Sequence, residues 1–380
     1  MRFAPFRPHL WFIVLVAWLM PTSPVLAEDA LPLEKIRLPP GFSIALWTRV
    51  DNPRQMALGA RDATGGTVYV GSMRAGRVHA VRFDSRHQAS GVSTVASGLT
   101  LPSGVAWRDG ALYVAAVDRI LRYADIDRRL ANPPAPVVVR NTLPRQNEHG
   151  WKFIAFGPDG KLYVPVGAPC NSCAPGEPYA SILRMDADGS NAEIYARGVR
   201  NSIGFDWDPA DGTLWFTDNG RDWLGPDAPP DELNHAPRPG LDFGFPFCHG
   251  GEIADPDFGK ARRCDEFIPP AQKLGAHVAA LGMRFYVGNQ FPEAYRHSIF
   301  IAEHGSWNRW QKVGYRITRV PIRNGKAAGY EVFAEGWLED SLLGGSAWGR
   351  PSDVLALPDG SLLVADDQAN AIYRISWRGR

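Results

Sequence analysis

The 380-residue sequence lacks an excess of charge of either sign, because 41 lysines and arginines stand against 40 aspartates and glutamates. It also lacks any block of like charges, so neither a nucleic-acid-binding surface nor a charged tail is indicated. Beyond the N-terminus, no apolar run approaches the roughly 20 residues that a membrane-spanning helix needs. These absences argue against the nucleic-acid-binding and membrane-spanning classes.

The N-terminus has the features of a secretory signal peptide. A start with two arginines leads into the unbroken apolar run Leu10–Met20, and Val25 and Ala27 occupy the −3 and −1 positions of a cleavage site. The run is shorter than a membrane span. We therefore expect residues 1–27 to be removed and residues 28–380 to form one periplasmic or secreted domain. An uncleaved N-terminal anchor is the alternative.

Cysteine is scarce, and the even count of four in an exported chain predicts two disulfides. Of the three ways to pair them, local pairing is the simplest. A four-cysteine metal site is disfavoured by the long gap between the two pairs, and a redox CxxC is disfavoured because no βαβ pattern surrounds it. The expected disulfides are Cys170–Cys173 and Cys248–Cys264.

Glycine and proline are abundant, and they belong to one recurring pattern: a glycine-containing turn followed by a strand of β-branched and aromatic residues. Asp-Gly turns suit hairpins because glycine accepts the positive φ that these turns need. The alternating strand after each turn has one face to bury. Five clear copies and one degenerate copy, at 291–303, occur at Arg61–Gly71, Trp107–Ala115, Phe156–Val164, Asp208–Phe216, Phe291–Glu303 and Leu357–Asp366.

Six copies at this spacing predict an all-β, six-bladed β-propeller of four-stranded antiparallel sheets. A pair of β-sandwiches is the alternative. Strands at Phe42–Trp47 and Ala371–Trp377 are expected to close the ring, since closure removes two sheet edges. The widest gap between copies contains residues 226–267, rich in Pro, Gly and Asp, which we interpret as an inserted loop.

Polar residues cluster just outside the repeated strands, where a propeller carries its function. His149 precedes the third repeat in a loop, and an imidazole can accept a proton at neutral pH; a solvated loop histidine is the alternative. Arg200 and Asn201 precede the fourth repeat, and Arg350 precedes the last. Arg309 follows the degenerate copy. Arginines converging from several blades suit a multiply anionic ligand, although each could instead join two blades.

The stretch Thr217–Asn234, which follows the fourth repeat's strand, combines glycine with acidic side chains. Backbone carbonyls and carboxylates are the ligands of a hard cation such as Ca²⁺. The acid spacing of an EF-hand is missing, and a solvated acidic turn is an equal alternative.

Five of these segments together resemble the soluble quinoprotein sugar dehydrogenases, in particular the glucose/sorbosone dehydrogenase branch. The matching segments, in chain order, are EHGWK, RGVRNSIGFDW, TDNGRD…DELN, EHGSWNR and GRPSDV. The resemblance implies a six-bladed propeller that binds pyrroloquinoline quinone (PQQ) and calcium, with His149 as the general base that takes the proton of the substrate hydroxyl. Arg200 and Asn201 are then at the reactive carbonyl of the quinone.

The same resemblance implies that the backbone carbonyls of Gly220 and Arg221 bind the calcium ion, and that Asp231 and Glu232 support their loop. It makes Arg350 a partner of a PQQ carboxylate and Arg309 a second candidate partner. The chain departs from the glucose-oxidising members, which have a lysine in the Arg309 region. Two further departures are Ser352 in place of an arginine and Glu148 in place of an aspartate.

Three functions are compatible with these residues. The first is a PQQ- and calcium-dependent dehydrogenase acting on a sugar or a sugar-derived aldehyde or alcohol. The second is a calcium-dependent lactonase or other hydrolase on a similar propeller, and the third is a non-catalytic binding propeller. A dehydrogenase would pass its electrons to a separate acceptor such as a cytochrome or quinone, because Ala174 follows Cys173 and no CxxCH haem motif is present.

Overall fold

The structure, a computed structural model, describes residues 1–2, 4, 30–341 and 345–379. Residues Leu33–Arg380 belong to one compact unit. The predicted signal peptide lies almost entirely outside the described residues. Within the described part, no helix has the length and apolar character needed to cross a membrane.

The described residues form a nearly all-β unit with four short 3-10 helices, at Leu33–Lys35, Ile126–Arg128, Cys264–Glu266 and Glu293–Tyr295. The strands are β1 (Phe42–Arg49), β2 (Pro53–Asp62), β3 (Gly65–Ser72), β4 (Val78–Asp84), β5 (Ala89–Ala96), β6 (Gly104–Arg108), β7 (Ala111–Ala115), β8 (Ile120–Tyr123), β9 (Val137–Arg140), β10 (Ala155–Phe156), β11 (Leu162–Val166), β12 (Ser181–Met185), β13 (Glu193–Arg197), β14 (Gly204–Trp207), β15 (Leu214–Asp218), β16 (Pro230–Ala236), β17 (Leu241–Asp242), β18 (Cys248–His249), β19 (Ile253–Ala254), β20 (Gln272–Ala276), β21 (Ala280–Phe285), β22 (Ser298–Glu303), β23 (Arg316–Arg323), β24 (Lys326–Ala327), β25 (Glu331–Glu335), β26 (Pro351–Ala356), β27 (Leu362–Asp366) and β28 (Ala371–Trp377).

Six antiparallel sheets form the blades of a propeller, which confirms the predicted fold. They are built from β2–β5, from β6–β9, from β10–β13, from β14–β16 with β20, from β21–β23 with β25, and from β26–β28 with β1. First strands of neighbouring sheets contact one another in five pairs, which are β2 with β6, β6 with β10, β14 with β21, β21 with β26, and β26 with β2. Each predicted repeat is the hairpin between the first and second strands of a sheet, together with the second strand.

The ring is closed by pairing its two ends. Strand β1 lies antiparallel to β28, with Phe42 opposite Trp377 and Arg49 opposite Ala371. The last sheet therefore takes its outer strand from the start of the chain, as predicted, and two sheet edges are removed.

Apolar layers between adjacent sheets make up the core. Met56, Val68 and Leu363 share one layer between the first and last blades. Equivalent layers lie between the first and second, second and third, third and fourth, and fourth and fifth blades. The alternation of the strands explains this arrangement, because both faces of each sheet pack against a neighbouring sheet.

An insertion leaves the fourth blade between its third and fourth strands. Of the residues 226–267 interpreted as inserted, 230–236 form β16, the third strand of that blade. The insertion therefore starts later than expected. It contains β17, which pairs with β13, and the hairpin of β18 and β19. Both predicted disulfides are present, and Cys248–Cys264 lies within the insertion.

Candidate functional site

A cavity of about 320 Å³ opens at one end of the propeller. In an antiparallel hairpin, the start of the first strand and the end of the second lie at the same edge. Most of the lining follows this rule, because it comes from loops that enter first strands or leave second strands. The lining residues are Arg54, Met73, Arg74, His149, Trp151, Arg200, Asn201, Asn219, Gly220, Asp222, Asp231, His277, Ala279, Leu281, His304, Gly305, Ser306, Trp307, Asn308 and Arg350.

His149 lines this cavity with a fixed ring orientation. Its Nδ1 lies 2.8 Å from the carbonyl oxygen of Ala168, and a carbonyl can only accept, so Nδ1 carries the proton and Nε2 keeps its lone pair. Burial, reinforced by the positive charge of Arg200, lowers the pKa of His149 to about 3. The imidazole is therefore neutral at physiological pH and has one nitrogen available to accept a proton.

Arg200 is buried and held by its neighbours. Its Nε donates to the carbonyl oxygen of Asn171 at 2.8 Å, Nη1 donates to the carbonyl oxygen of Asn219 at 3.1 Å, and Nη2 donates to the Asn171 side chain at 3.0 Å. The backbone N–H groups of Arg200 and Asn201 donate to the carboxylate of Asp218 at 2.8 and 2.6 Å. The positive charge is thus placed before any ligand binds.

The side-chain oxygen of Asn201 is buried and has no hydrogen-bond partner among the described residues. Buried polar atoms are nearly always paired, and an unpaired one costs about 1–3 kcal/mol. Since Asn201 lines the cavity, this oxygen is available to a bound molecule.

The Gly220 loop rests on Asp231. The N–H of Gly220 donates to one carboxylate oxygen of Asp231 at 2.8 Å, and the N–H of Ala279 donates to the other at 2.7 Å. Burial raises the pKa of Asp231 to about 7. Glu232, the next residue, accepts the N–H of Gly250 at 2.8 Å and so attaches the insertion to this blade.

Arg221 does not line the cavity, because its guanidinium turns toward the buried carboxylate of Asp255 in the insertion. The carbonyl oxygens of Gly220 and Arg221 accept no hydrogen bond from the described residues. The part of the chain that the structure describes contains no cluster of three or more His, Cys, Asp or Glu side chains suited to a metal. A cation at this loop would therefore depend on backbone oxygens.

Arg350 lines the cavity from the last blade. Its backbone N–H donates to Asp366 at 2.8 Å, and its guanidinium donates to the carbonyl oxygens of His304 and Gly305 at 2.9 and 2.6 Å. Ser352 is buried and donates to the carbonyl oxygen of Pro53 at 2.9 Å. That hydroxyl joins two blades and does not line the cavity.

Arg309, like Arg221 and unlike Arg200 and Arg350, lies outside the cavity lining. Its guanidinium donates to the carbonyl oxygen of Pro226 and to the carboxylate of Asp227, the latter at 3.0 Å. Arg309 thus fastens the loop after β22 to the loop after β15.

Arg54 and His304, two residues that the sequence did not single out, complete the cavity wall, and both bind Asp367. Asp367 accepts hydrogen bonds from Arg54 Nη1 at 2.7 Å and from His304 Nε2 at 2.8 Å. Burial opposes ionisation of Asp367, but His304 and Arg54 outweigh it and hold its pKa below the usual range. Burial lowers the pKa of His304 to about 4. Arg54 and Arg350 therefore bring positive charge to the same part of the wall.

Comparison with known proteins finds a matching family and a similar protein. Residues 119–374 match the family described as Glucose / Sorbosone dehydrogenase. An uncharacterized protein of Borreliella burgdorferi is 33% identical over 376 residues, which cover 96% of each chain.

Solved structures with a similar fold include a Trichoderma reesei carbohydrate-active enzyme of family AA12, in its calcium structure, with a TM-score of 0.80 and 17% identity over 93% of this chain and 100% of that one. The holo PQQ domain of a pyranose dehydrogenase from Coprinopsis cinerea has a TM-score of 0.73 and 17% identity over 90% and 97%. The PQQ-bound aldose sugar dehydrogenase of Streptomyces coelicolor has a TM-score of 0.61 and 20% identity over 90% and 99%. At these identities the likeness concerns the fold.

Proposed function

This chain belongs to the glucose/sorbosone dehydrogenase family, and we propose that it is a PQQ- and calcium-dependent dehydrogenase of a sugar or a sugar-derived aldehyde or alcohol. The observation that carries the proposal is the neutral His149, oriented by Ala168, in a cavity that Arg200 and Arg350 also line. A base and several fixed cations in one cavity suit a hydroxyl substrate beside an anionic cofactor.

The residues present fit such a cofactor. PQQ is a flat quinone with several carboxylates, and Arg54, Arg200 and Arg350 give the cavity the matching charge. The unpaired side-chain oxygen of Asn201 offers a further polar contact. When bound, the quinone supplies the acceptor for the hydride that leaves the substrate carbon. For calcium, we assign the carbonyl oxygens of Gly220 and Arg221 as protein ligands.

The chain's own residues then have defined roles. Nε2 of His149 accepts the proton of the substrate hydroxyl, while the Ala168 carbonyl keeps the ring in one orientation. Arg200 presents a positive charge that needs no rearrangement, since its hydrogen bonds already hold it. Such preorganised charge is the usual source of electrostatic stabilisation in enzymes.

We further propose that the protein acts after export and hands its electrons to a separate carrier. Two disulfides support an oxidising compartment such as the periplasm or the extracellular space. The ring of arginines favours an anionic cofactor over the metal-centred hydrolase that is the main alternative.

The test is reconstitution. The mature protein, stripped of metal with a chelator, is mixed with PQQ and Ca²⁺, and dye reduction is followed with aldoses, sorbosone and simple alcohols. We expect reduction that needs both PQQ and Ca²⁺, and that is lost in the His149→Ala variant. No reduction with any substrate, together with no PQQ binding by calorimetry, would overturn the proposal.

A further inference from the structure

Two exposed tryptophans stand at the mouth of the cavity. Trp223, in the loop after β15, is 67% exposed, and Trp307, in the loop after β22, is 64% exposed and also lines the cavity. Their rings meet edge to face, with centroids 5.8 Å apart and an interplanar angle of 88°. In that geometry, both faces of at least one indole ring are not covered by the other ring. Neither indole N–H has an acceptor among the described residues.

Within the described part of the chain, exposed aromatic rings are confined to this region. Among the large hydrophobic side chains that are exposed in the described residues, the aromatic ones are Trp223, Trp307 and Trp310, all from these two loops. Leaving such rings in water forfeits about 1.5–3 kcal/mol of burial each. Clustered exposure of this kind marks a binding surface more often than scattered exposure does.

The loops under the tryptophan pair are braced against each other. Asn308 Nδ2 donates to the Asp222 carboxylate at 2.5 Å, and Arg309 fastens the same two loops further out. The backbone N–H of Asp222 also donates to the side-chain oxygen of Asn171 at 2.8 Å. The tryptophans therefore stand on a rigid base, and ordering them costs little when a ligand binds.

Trp223 itself has a strained backbone. Its φ is 71°, in the left-handed region that bulky residues rarely adopt. Strain of this sort costs about 1–3 kcal/mol and is found mainly at functional sites. The contacts of the surrounding loops thus keep Trp223 in an unfavourable backbone conformation, with its indole exposed.

We propose that Trp223 and Trp307 form an outer saccharide subsite, so that the preferred substrate is an oligosaccharide whose terminal ring enters the cavity. This inference rests on the proposed function. The C–H face of a pyranose ring stacks on an aromatic ring while its hydroxyl groups need polar partners. Asp222 and Asn308, which line the cavity at the base of the pair, provide those partners.

A saccharide fits this surface better than a protein does. A specific protein interface buries about 800 Å² on each partner, whereas the aromatic surface is a pair of rings beside polar side chains. Trp307 is also continuous with the cavity, so a ligand on the pair extends directly from a ring bound inside.

The experiment compares sugars of increasing length with the PQQ- and Ca²⁺-loaded enzyme. Kinetics of dye reduction are measured with glucose, cellobiose and cellotriose for wild type, Trp223→Ala, Trp307→Ala and Trp307→Phe. Trp310→Ala is the matched control, because Trp310 is exposed at 73% on the same loop but is not part of the pair.

We expect the ratio of kcat/KM for cellobiose to that for glucose to fall about five- to tenfold in both alanine variants, mainly through KM. Trp307→Phe should restore most of the ratio, and Trp310→Ala should leave it unchanged. A ratio that stays constant overturns the subsite. Cytochrome c is also used as the electron acceptor. If the two alanine variants reduce it more slowly with all sugars alike, the tryptophan pair is a contact for the acceptor and the subsite is overturned.

Failure of the proposed function is recognised separately. If no sugar reduces the dye, binding of cellobiose is followed by tryptophan fluorescence on the same proteins. Binding that Trp223→Ala weakens and Trp310→Ala does not would support the subsite without turnover. Absence of binding to the wild type would overturn it.

Discussion

A Cβ atom at Gly167 would lie 2.6 Å from the Cβ of His149 and 2.7 Å from its carbonyl oxygen. Real side chains essentially never approach so closely. The absence of a side chain at the end of β11 therefore lets His149 pack against that strand, and the next residue, Ala168, supplies the carbonyl that orients the imidazole.

Gly167→Ala should displace His149 from its position. Because misplacement of a reacting group by about 1 Å can cost on the order of 10²-fold in rate, we expect kcat in the reconstituted dye assay to fall by roughly that factor. Gly176→Ala is the control, since a Cβ there meets nothing within 4 Å. An unchanged kcat in Gly167→Ala would contradict the packing argument.

His149→Ala should remove the base while leaving the cations of the cavity in place. Loss of a general base typically costs about 10²–10⁴-fold in rate, so kcat should fall by that range. PQQ binding by calorimetry and the melting temperature should stay close to wild type. His87→Ala, which changes an imidazole outside the cavity lining, serves as control, and retained turnover in His149→Ala would exclude His149 as the base.

Arg54→Gln should weaken PQQ binding to the metal-loaded protein. Glutamine can still donate to Asp367, but the charge that lines the cavity is lost. We expect a roughly tenfold rise in Kd, measured by calorimetry, as for the loss of one charge-assisted contact. Arg61→Gln removes an exposed arginine from the same strand and should not change Kd. Equal effects of the two variants would show that only overall charge matters.

His304 should make stability depend on pH in the acid range. The unfolded chain protonates this residue near pH 6.5, whereas in the folded state burial lowers its pKa to about 4. Its contribution is therefore fully present above about pH 6.5 and is lost as the pH falls through 4.

The check is denaturant unfolding of wild type and His304→Gln at pH 7, 6, 5 and 4. The wild type should lose more free energy of unfolding over this range than the variant, by up to about 3 kcal/mol. His149 contributes in both proteins, so it cancels in the comparison. Parallel pH profiles would show that His304 protonates normally in the folded protein.

The fold followed from the sequence where local chemistry and burial agree. Each hairpin between first and second strands has a glycine turn and an alternating strand, except the degenerate copy at 291–303, and all six were located. Strand β16 (Pro230–Ala236) was missed because its buried residues include Asp231, Glu232 and Asn234. The N–H groups of Gly220 and Gly250, which bind Asp231 and Glu232, lie in other segments, and no periodic pattern reveals them.

The candidate site was predictable where a residue enters a first strand or leaves a second one. His149, Arg200 and Arg350 lie at such positions, and the structure brings them to one cavity. Arg309 stands six residues beyond β22, where the chain has already turned outward to Asp227. Arg54 was missed because it lies inside β2, where an arginine is not expected, and it depends on a carboxylate more than 300 residues away.

The pairing of β1 with β28 also sets an order for folding. During synthesis the segment Phe42–Arg49 emerges early, but its partner Ala371–Trp377 is made only after the strands of the other five blades. Every earlier blade can stack on its neighbour as it emerges, whereas the ring stays open, with two unpaired strand edges, until Ala371–Trp377 is made. Shortening the chain before β28 should therefore yield an aggregation-prone open ring rather than a smaller stable propeller.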